Sequence, residues 1–331
     1  MTAFFRESDA NLNALKGRRI AVFGYGNLGC PVALNMRDSG LPVIVGNVSD
    51  RYADKAQADG FDVMGLTEAA RLSDIKLLLL PDEVMPEEYL KFISPSLKQG
   101  DTLVFASGYN IAFGFIEPPP FVDVVMIAPR TIGAGVREMY LSGQGFLSFI
   151  AVAQDATGKA WDQLLALALA IGALRSGALE ITFRQEAEID LFIQQALLPA
   201  LHNLMYAAAD LLIKEGYPPE AALLDLYVSG ELGYSLTKAA EMGLMDTLRL
   251  SSLTSQYGLL SRAVRFQDPK LTRQMELTLE EIRSGKFAQE WAADYANGYP
   301  RLEALRSKHS KMMLWVLEQQ AIALLRGTHD E

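Results

Sequence analysis

The sequence predicts an N-terminal α/β domain followed by an all-α domain, and three observations support this fold class. A short apolar run leads directly into a glycine-rich turn and a helix at residues 19–36. Apolar runs then alternate with helical segments, and from residue 183 long helical patterns replace them. We therefore predict domains at 1–182 and 183–328.

The glycine-rich turn has the order that a dinucleotide-binding loop requires. Residues 20–23 form the predicted strand, and Gly24-x-Gly26-x-x-Gly29 follows it. Gly24 permits the tight turn, Gly26 lets the backbone approach a pyrophosphate, and Gly29 lets the helix pack on the strand. The loop predicts a Rossmann domain that binds NADP or NAD, although a glycine-rich turn without ligand shows the same pattern. Its predicted cofactor residues are Gly24, Tyr25, Gly26, Asn27, Leu28 and Gly29.

A second strand, 42–46, leads into the loop that would contact the adenosine ribose. This loop contains Asn47, Asp50 and Arg51, all predicted cofactor residues. A carboxylate there binds the ribose hydroxyl of NAD, whereas a basic group binds the 2′-phosphate of NADP. Because both charges are present, the preference stays open, and either could be a solvated loop charge.

A later apolar run, 75–80, predicts a buried strand that ends at Leu80, Pro81 and Asp82. Ligands of parallel sheets lie beyond the carboxyl ends of the strands, so we predict that these residues line the nicotinamide side. The other predicted elements of this domain are helices at 51–59, 67–72 and 158–175, and strands at 61–64, 102–106, 122–128 and 146–152, the last completing the sheet.

Beyond residue 182 the pattern is helical. Apolar residues recur at i, i+3 and i+4 over 186–215, which predicts a packed helix. Further predicted helices span 220–242, 245–252, 271–284, 287–296 and 302–325.

Composition limits the classes of function. The 331 residues are 50% hydrophobic, have a net charge of −10 and include one cysteine. A single cysteine fits a reducing cytoplasm, and the start, MTAFFRESDAN, lacks a signal-peptide pattern. The apolar run 164–174 is too short to span a bilayer. With no basic block, we predict neither a nucleic-acid partner nor a membrane.

Segments along nearly the whole chain resemble one family in sequence and order. They are LKGRRIAVFGYGNLG, ALNMRDSGLPVIVG, ADGFDV, LLLLPDEV, YNIAFG, VDVVMIAPR, IAVAQDATGKAWD, EAEIDLF, KEGYPPE and IRSGKFAQEWA. The family is the ketol-acid reductoisomerases (acetohydroxyacid isomeroreductases), in their short form. The resemblance implies a Rossmann domain, a knotted helical domain and an intertwined homodimer. It also implies a two-step reaction: two Mg²⁺ ions promote an alkyl migration in a 2-hydroxy-2-acyl acid, and NADPH then reduces the new ketone.

The chain departs from the family at the implied metal site. Where the family has two carboxylates in Asp-Leu-Phe-x-Glu, this chain has Asp190 and Gln194. The family's second pair, Glu-x-x-x-Glu, aligns with Asp225 and Ser229. An amide cannot replace an anion beside two dications, so Mg²⁺ is doubtful, and Asp190 and Asp225 are its ligands if any metal binds. Gln194 and Asp225 become predicted substrate contacts.

Three other departures concern the substrate. The family's Ala-His-Gly-Phe-Asn is ASGYN at 106–110, and its Ala-Pro-Lys is APR at 128–130. An arginine, unlike a lysine, does not give up a proton at neutral pH. The family's substrate serine matches Ser251 or Ser252, and a one-residue length difference leaves the choice open.

Since the dinucleotide motif is intact, we predict an NAD(P)H-dependent reductase of a small carbonyl or imine, without the alkyl migration. Arg130 could stabilise an oxyanion or clamp a carboxylate, or form a structural salt bridge. Ser107 and Tyr109 could donate hydroxyl protons, although Tyr109 is also the family's Phe with an added hydroxyl. Asp190 could be a general acid, or could act as a cap or pair with a neighbour such as Arg184.

Two other functions compete with the reductase. A residual ketol-acid reductoisomerase of branched-chain amino-acid biosynthesis would turn over 2-acetolactate with a metal. A non-catalytic NADP-binding dimer would bind the nucleotide without oxidising it. We interpret Cys30 as a small packing residue, and His202 as a packed, hydrogen-bonded histidine with a catalytic role as the alternative.

Overall fold

The computed structural model describes residues 2–326. The chain divides into two compact units, Met1–Asp190 and Leu191–Glu331. The predicted boundary at 182/183 falls at the start of a helix, Phe183–Phe192, and stays a prediction. Residues 327 and 328 of the predicted second domain lie outside the described residues.

The first unit contains the strands. Over the described residues, strands β1 to β9 span Phe4–Phe5, Ile20–Phe23, Val43–Gly46, Asp62–Met64, Ile75–Leu78, Thr102–Phe105, Asp123–Pro129, Ser148–Gln154 and Ala178–Glu180. They form one sheet in the order β1-β9-β8-β7-β6-β5-β2-β3-β4. All neighbours are parallel except β7 with β8 and β1 with β9. The prediction of a Rossmann-type α/β domain is confirmed.

The helices that begin in this unit follow most strands. Helices α1 to α9 span Gly29–Asp38, Arg51–Ala58, Leu66–Leu72, Met85–Glu88, Tyr109–Ala112, Gly133–Leu141, Ala160–Ile171, Ala173–Ser176 and Phe183–Phe192. They cover both faces of the sheet. In β2, Ile20 and Val22 belong to the apolar layer that contains α1, whereas Ala21 and Phe23 belong to the layer that contains α3. Burial on both faces explains why these strands are continuous apolar runs.

The predicted end of the sheet is wrong. The strand expected at 146–152 is β8, and β9 and β1 extend the sheet beyond it. These two strands have three and two residues. A period of two cannot be recognised in so short a run, so sequence patterning could not reveal them.

The second unit is helical over its described residues, as predicted. Helices α10 to α17 span Leu198–Lys214, Pro219–Leu223, Glu231–Met242, Leu253–Arg262, Pro269–Arg283, Lys286–Ala296, Pro300–His309 and Met313–Arg326. Two π-helical turns, Ile193–Leu197 and Leu224–Val228, precede α10 and follow α11. The knot implied by the resemblance stays a prediction.

Three predicted helices of this unit need correction. The helix expected at 220–242 breaks at Gly230, whose φ of 84° is left-handed. The one expected at 302–325 is two helices, α16 and α17. The one expected at 245–252 is a 3₁₀ segment, Asp246–Leu250, and is followed by α13, which apolar spacing did not indicate.

The helical stretch Phe183–Lys214 is unusual in its exposure. It is the one described helix that is long and apolar enough to cross a membrane, with a mean hydropathy of 1.4, and 11% of that window is buried within the chain. Length and composition alone are weak evidence for a membrane, because a helix at a subunit interface has the same properties.

Candidate functional site

A cavity of about 760 Å³ lies at the carboxyl ends of β2, β5 and β6. From β2 the chain continues to β3 and β4 on one side, and from β5 to β6 and β7 on the other. The cavity therefore lies where the strand order reverses, which is where ligands of open α/β sheets bind. Its lining includes the glycine loop, residues 78–82, and Ala106 and Ser107.

The three glycines of the loop have different surroundings. A Cβ on Gly24, which has a φ of 90°, would lie 2.8 Å from the carbonyl oxygen of Leu79. A Cβ on Gly29 would lie 1.8 Å from the carbonyl oxygen of Gly24, whereas one on Gly26 would meet nothing within 4 Å. Gly24 and Gly29 are therefore required by the turn and the packing, and Gly26 leaves space for a ligand. This arrangement fits a diphosphate at the start of α1.

Asn47 connects the glycine loop to the ribose loop. Its Oδ1 accepts a hydrogen bond from the Tyr25 backbone N–H at 3.1 Å, and its Nδ2 donates to Asp50 Oδ1 at 2.8 Å. Asp50 also caps α2 by accepting from the backbone N–H groups of Tyr52 and Ala53. These hydrogen bonds hold the two loops together beside the cavity.

Asp50 and Arg51 point to different surroundings. Asp50 lines the cavity. The Arg51 guanidinium lies 4.8 Å from the centre of the Tyr52 ring and donates to Tyr52 Oη at 2.9 Å. Among the described residues, the lining includes no lysine, arginine or histidine. Within the described lining, a ligand would therefore meet the carboxylates of Asp50, Asp82 and Glu88 and no basic side chain.

Arg130, at the end of β7, is surrounded by partners. Its Nη2 lies 2.9 Å from Glu186 Oε1, and its Nη1 lies 3.3 Å from Asp190 Oδ1. Its Nε donates to the backbone oxygens of Ala128 and Pro129 at 3.3 and 3.2 Å. All three guanidinium nitrogens therefore have partners within the protein, which is the geometry of the structural salt bridge considered above.

Glu186 is a buried partner of Arg130 that the sequence analysis missed. It is 1% exposed, and its Oε2 accepts from the Gly108 N–H at 2.6 Å. Burial raises the pKa of Glu186, the nearby Asp190 raises it further, and the Gly108 N–H and Arg130 lower it. Its position four residues before Asp190, on the same face of α9, was the available signal.

Of the alternatives for Asp190, pairing with a neighbour is what the structure shows, but the neighbour is not Arg184. Arg184 Nη1 lies 3.4 Å from Glu188 Oε1, and Asp190 pairs with Arg130. Arg184 and Asp190 are six residues apart on the helix, so their side chains do not meet. The end of β7, in contrast, brings Arg130 beside Asp190.

Asp82 follows β5 and lines the cavity, as does Ser107 after β6. Burial raises the pKa of Asp82 to about 7, and the charges of Glu186, Glu83 and Asp190 contribute in the same direction. A carboxyl with such a pKa is half-protonated near neutral pH and can donate a proton.

Tyr109 and Asn110 lie beside Asp82. The Asn110 Nδ2 donates to the backbone oxygen of Asp82 at 3.1 Å and to its Oδ1 at 3.4 Å. Tyr109 is 6% exposed and its ring packs against Phe113 and Phe115. Burial, followed by the charge of Asp82, raises the pKa of Tyr109 above its ordinary value. The predicted hydroxyl donor is therefore enclosed by aromatic rings.

The predicted residues of the second unit are exposed in the single chain. Gln194 and Asp225 lie in the two π-helical turns. Ser252 caps α13 by accepting from the Ser255 N–H, and Ser251 precedes it. The structure does not test their predicted contact with a substrate.

The two residues interpreted as packing residues, His202 and Cys30, differ in their burial. His202 is exposed on α10, so its interpretation as a packed residue is wrong for the single chain. Cys30 is buried in the layer that contains α1, as predicted.

The donor set fits a nicotinamide dinucleotide better than paired Mg²⁺. Among residues 2–326, no group of three or more His, Cys, Asp or Glu side chains could hold a metal ion. Asp190, one of the two carboxylates that the resemblance assigns to the metal, already pairs with a guanidinium. Gln194 and Ser229 supply no charge, and Mg²⁺ is bound through carboxylates.

Comparisons with known proteins cover both units. Residues 14–177 match the family model described as acetohydroxy acid isomeroreductase, NADPH-binding domain, and residues 183–326 match ketol-acid reductoisomerase, C-terminal domain. The chain is 45% identical, over 88% of its length and 89% of the relative's, to "Putative ketol-acid reductoisomerase 3" of Saccharolobus solfataricus. It is 41% identical, over 92% and 93%, to "Ketol-acid reductoisomerase (NADP(+))" of Methanocaldococcus jannaschii.

One solved structure matches along the whole chain. It is titled "Structure of NADH-preferring ketol-acid reductoisomerase from an uncultured archean" and superimposes with a TM-score of 0.92 at 33% identity. The match covers 99% of this chain and 100% of that one.

Proposed function

The chain belongs to the ketol-acid reductoisomerase family, and from that premise we propose that it is a reductase that acts without the Mg-dependent alkyl migration. It carries the family's NAD(P)-binding domain, and its substrate is a small carbonyl or imine. The observation that carries the proposal is the pairing of Arg130 with Glu186 and Asp190.

The charge at Arg130 argues against a paired metal site. A divalent ion at Asp190 would have to lie beside the guanidinium or displace it, and two cations a few ångströms apart repel each other. Gln194 and Ser229 cannot offset that repulsion. A reductase needs none of these metal ligands.

The residues of the cavity suit hydride transfer. A bound reduced nicotinamide supplies the hydride. The glycine loop and the start of α1 would hold the diphosphate, Asn47 fixes the ribose loop, and Leu80 and Pro81 would border the nicotinamide. Asp82 can supply a proton to the atom that receives the electron pair, because its pKa is about 7.

NADH is the proposed cofactor in preference to NADPH. Asp50 lines the cavity and its carboxylate can accept from a ribose 2′-hydroxyl, but would repel a 2′-phosphate. The one basic residue of the loop, Arg51, stacks on Tyr52. The solved relative that is NADH-preferring shows that such a preference exists in the family.

A homodimer is the proposed assembly, formed through the helical unit. Large apolar side chains of α10, such as Leu204 and Leu211, are 57% and 60% exposed. Uncovered apolar faces of this extent are typical of obligate interfaces. Light scattering should give twice the chain mass of 36.4 kDa; a monomer at micromolar concentration would contradict the proposal.

A residual ketol-acid reductoisomerase is the second candidate, because curated relatives at 38–41% identity bear the name "Ketol-acid reductoisomerase (NADP(+))". The two functions differ in their metal requirement.

Incubation with NADH, EDTA and a panel of keto acids, imines and dehydroamino acids should consume NADH with at least one member. Turnover of 2-acetolactate that requires Mg²⁺, with no reduction in EDTA, would support the second candidate instead. If NADH binds and nothing consumes it, the chain is a non-catalytic nucleotide-binding protein.

A further inference from the structure

We propose that Glu88 determines which base the nucleotide site accepts, because its carboxylate accepts a hydrogen bond from the 6-amino group of the cofactor's adenine. The inference rests on the proposed binding of NADH in the cavity at the ends of β2, β5 and β6, and it adds recognition of the base. Glu88 lines that cavity and has no part in the diphosphate, ribose or nicotinamide contacts described above.

The order of groups in the dinucleotide decides which end of the cavity receives the base. The diphosphate lies at the start of α1, the adenosine ribose at Asp50 and the nicotinamide at Leu80 and Pro81, so the adenine lies past the ribose loop. Val48 belongs to that loop, lines the cavity and is 53% exposed. It offers an apolar contact for a face of the base.

The segment after β5 brings Glu88 to this end of the cavity. Helix α4 continues into a π-helical turn, Tyr89–Ile93. Phe92, in that turn, lines an adjoining cavity of about 450 Å³ together with Asn47 and Val48 of the ribose loop. The segment therefore runs beside the ribose loop, and Glu88 lies four residues before Phe92.

Apolar side chains at this end suit a planar base. The Glu88 N–H donates to the Val84 oxygen at 3.3 Å, so Val84 and Glu88 lie on the same helical face. Val84, like Val48, lines the cavity. Ligand sites bury flat apolar surface against such side chains and orient the ligand through a few polar groups. A base in contact with these valines therefore needs a polar residue for its edge.

The other polar side chains near the ribose loop already have partners. Both amide atoms of Asn47 are engaged within the loops. Asp50 caps α2, and Tyr52 Oη accepts from Arg51. Glu88 differs, because its Oε2 has no hydrogen-bond partner among the described residues and is closed off from solvent. It is the one described lining residue with such an atom.

A donor on the ligand would satisfy the Glu88 carboxylate. A buried oxygen without a donor is costly. Rotation about the last side-chain bond of a glutamate exchanges its two oxygens, so either one can meet a group in the cavity. The 6-amino group of adenine is a donor, and a carboxylate only accepts. Glu88 can therefore bind this amino group, whereas it opposes a base that carries an oxygen at the same position.

The hypoxanthine analogue of NADH tests this selectivity. It has a 6-oxo group in place of the 6-amino group and keeps the ribose, diphosphate and nicotinamide. Fluorescence titration of the wild type should give a Kd for NADH at least about tenfold lower than for the analogue, the effect of one hydrogen bond to a charged group. Glu88→Gln keeps the shape of the side chain and adds an amide donor that a 6-oxo group accepts, so the ratio of the two Kd values should fall toward one.

Glu87→Gln is the matched control, because it removes an equal charge one residue away. The Glu87 side chain is 51% exposed, pairs with Lys91 and lies outside the described lining. A general loss of negative charge acts on both nucleotides alike. This variant should therefore keep the wild-type ratio.

AMP and IMP give a second readout that needs no variant. They lack the nicotinamide half and differ at the same position of the base. As competitors of NADH for the wild type, AMP should be several-fold more effective than IMP.

The outcomes separate this inference from the proposed function. If the wild type binds NADH and its hypoxanthine analogue equally, or if IMP competes as well as AMP, the inference is wrong and the nucleotide site stands. The same holds if Glu88→Gln keeps the wild-type ratio at an unchanged melting temperature. If neither dinucleotide binds the wild type, the proposed cofactor site itself fails.

Discussion

The glycine loop, residues 24–29, lies in the same unit as the Arg130 cluster, which consists of Arg130, Glu186 and Asp190. The two regions use their polar groups in opposite ways. A Cβ on Gly26 would meet no atom within 4 Å, so the loop leaves its backbone open to a ligand. In the Arg130 cluster, Glu186 and Asp190 are paired with the guanidinium. A site remains available to its ligand when the protein leaves donors open. Under the proposed function, the Arg130 cluster does not hold a metal, because the chain supplies its own cation there.

The largest expected effect is at the glycine loop. Gly29→Ala would force a methyl group against the Gly24 oxygen, where a Cβ lies at 1.8 Å. We expect this variant to lose ~2–4 kcal/mol of stability and to bind NADH at least ~100-fold more weakly. Thermal unfolding and NADH fluorescence titration measure both quantities.

Gly26→Ala is the matched control, since the same methyl group enters empty space there. It should melt at the wild-type temperature and still lose roughly tenfold or more in NADH affinity, because the methyl group would lie where the pyrophosphate approaches. Wild-type affinity in Gly26→Ala would show that the open space is not used by the nucleotide, and would break the contrast between the two regions.

The same contrast shows what the sequence could predict. The glycine loop depends on backbone conformation, which specific residue types at fixed spacing determine, so its roles could be assigned from Gly24, Gly26 and Gly29. The Arg130 cluster depends on contacts between residues 56 and 60 positions apart in the chain. Such contacts follow from the sheet order, which local patterns do not specify. Glu186 was therefore missed and Asp190 was assigned the wrong partner.

The second unit was predicted in outline for a related reason. Apolar periodicity indicated helices there, but Gly230 breaks one of them. In the first unit, the short strands β1 and β9 gave no periodic signal. The apolar period does not reveal a helix break that a single left-handed residue causes. It also does not reveal a strand that forms only through pairing with a distant part of the chain.

Asp82 should make the stability of the protein depend on pH, because burial, followed by the charges of Glu186, Glu83 and Asp190, raises its pKa. The pKa of Asp82 rises from 3.8 to about 7 on folding. Its folded form binds the proton more tightly, so wild-type stability falls as the pH rises from about 4 to 7. Asp82→Asn escapes this loss and should be more stable at pH 8.5 by at most ~4 kcal/mol, with the difference vanishing below about pH 4. Urea unfolding at both pH values measures it. Equal stability at pH 8.5 would contradict the raised pKa of Asp82 in the folded protein.

A smaller effect separates the two partners of Arg130. Glu186 is 1% exposed, and its side chain accepts from both the guanidinium and the Gly108 N–H. Glu186→Gln should cost ~2–3 kcal/mol, because it leaves a partly buried cation with one partner fewer.

Asp190→Asn is the comparison for that variant, since the Asp190 side chain is 37% exposed. Its loss should cost less than ~1 kcal/mol. A larger loss for Asp190→Asn than for Glu186→Gln would reverse this order. If calorimetry detects stoichiometric Mg²⁺ binding that Asp190→Asn abolishes, the metal half of the family's site survives and the comparison between the two regions fails.

The smallest predicted effect concerns cofactor choice at the open end of the cavity. Asp50→Asn removes the negative charge but keeps an oxygen that can cap α2 through Tyr52 and Ala53. We expect the ratio of NADPH to NADH affinity to rise about tenfold, since removal of one repulsive contact with a phosphate is worth ~1.4 kcal/mol. Asp54→Asn, on the same helix and exposed, removes an equal charge outside the described lining and should leave the ratio unchanged. A similar rise in both variants would indicate that net charge, and not contact with the ribose, governs the preference.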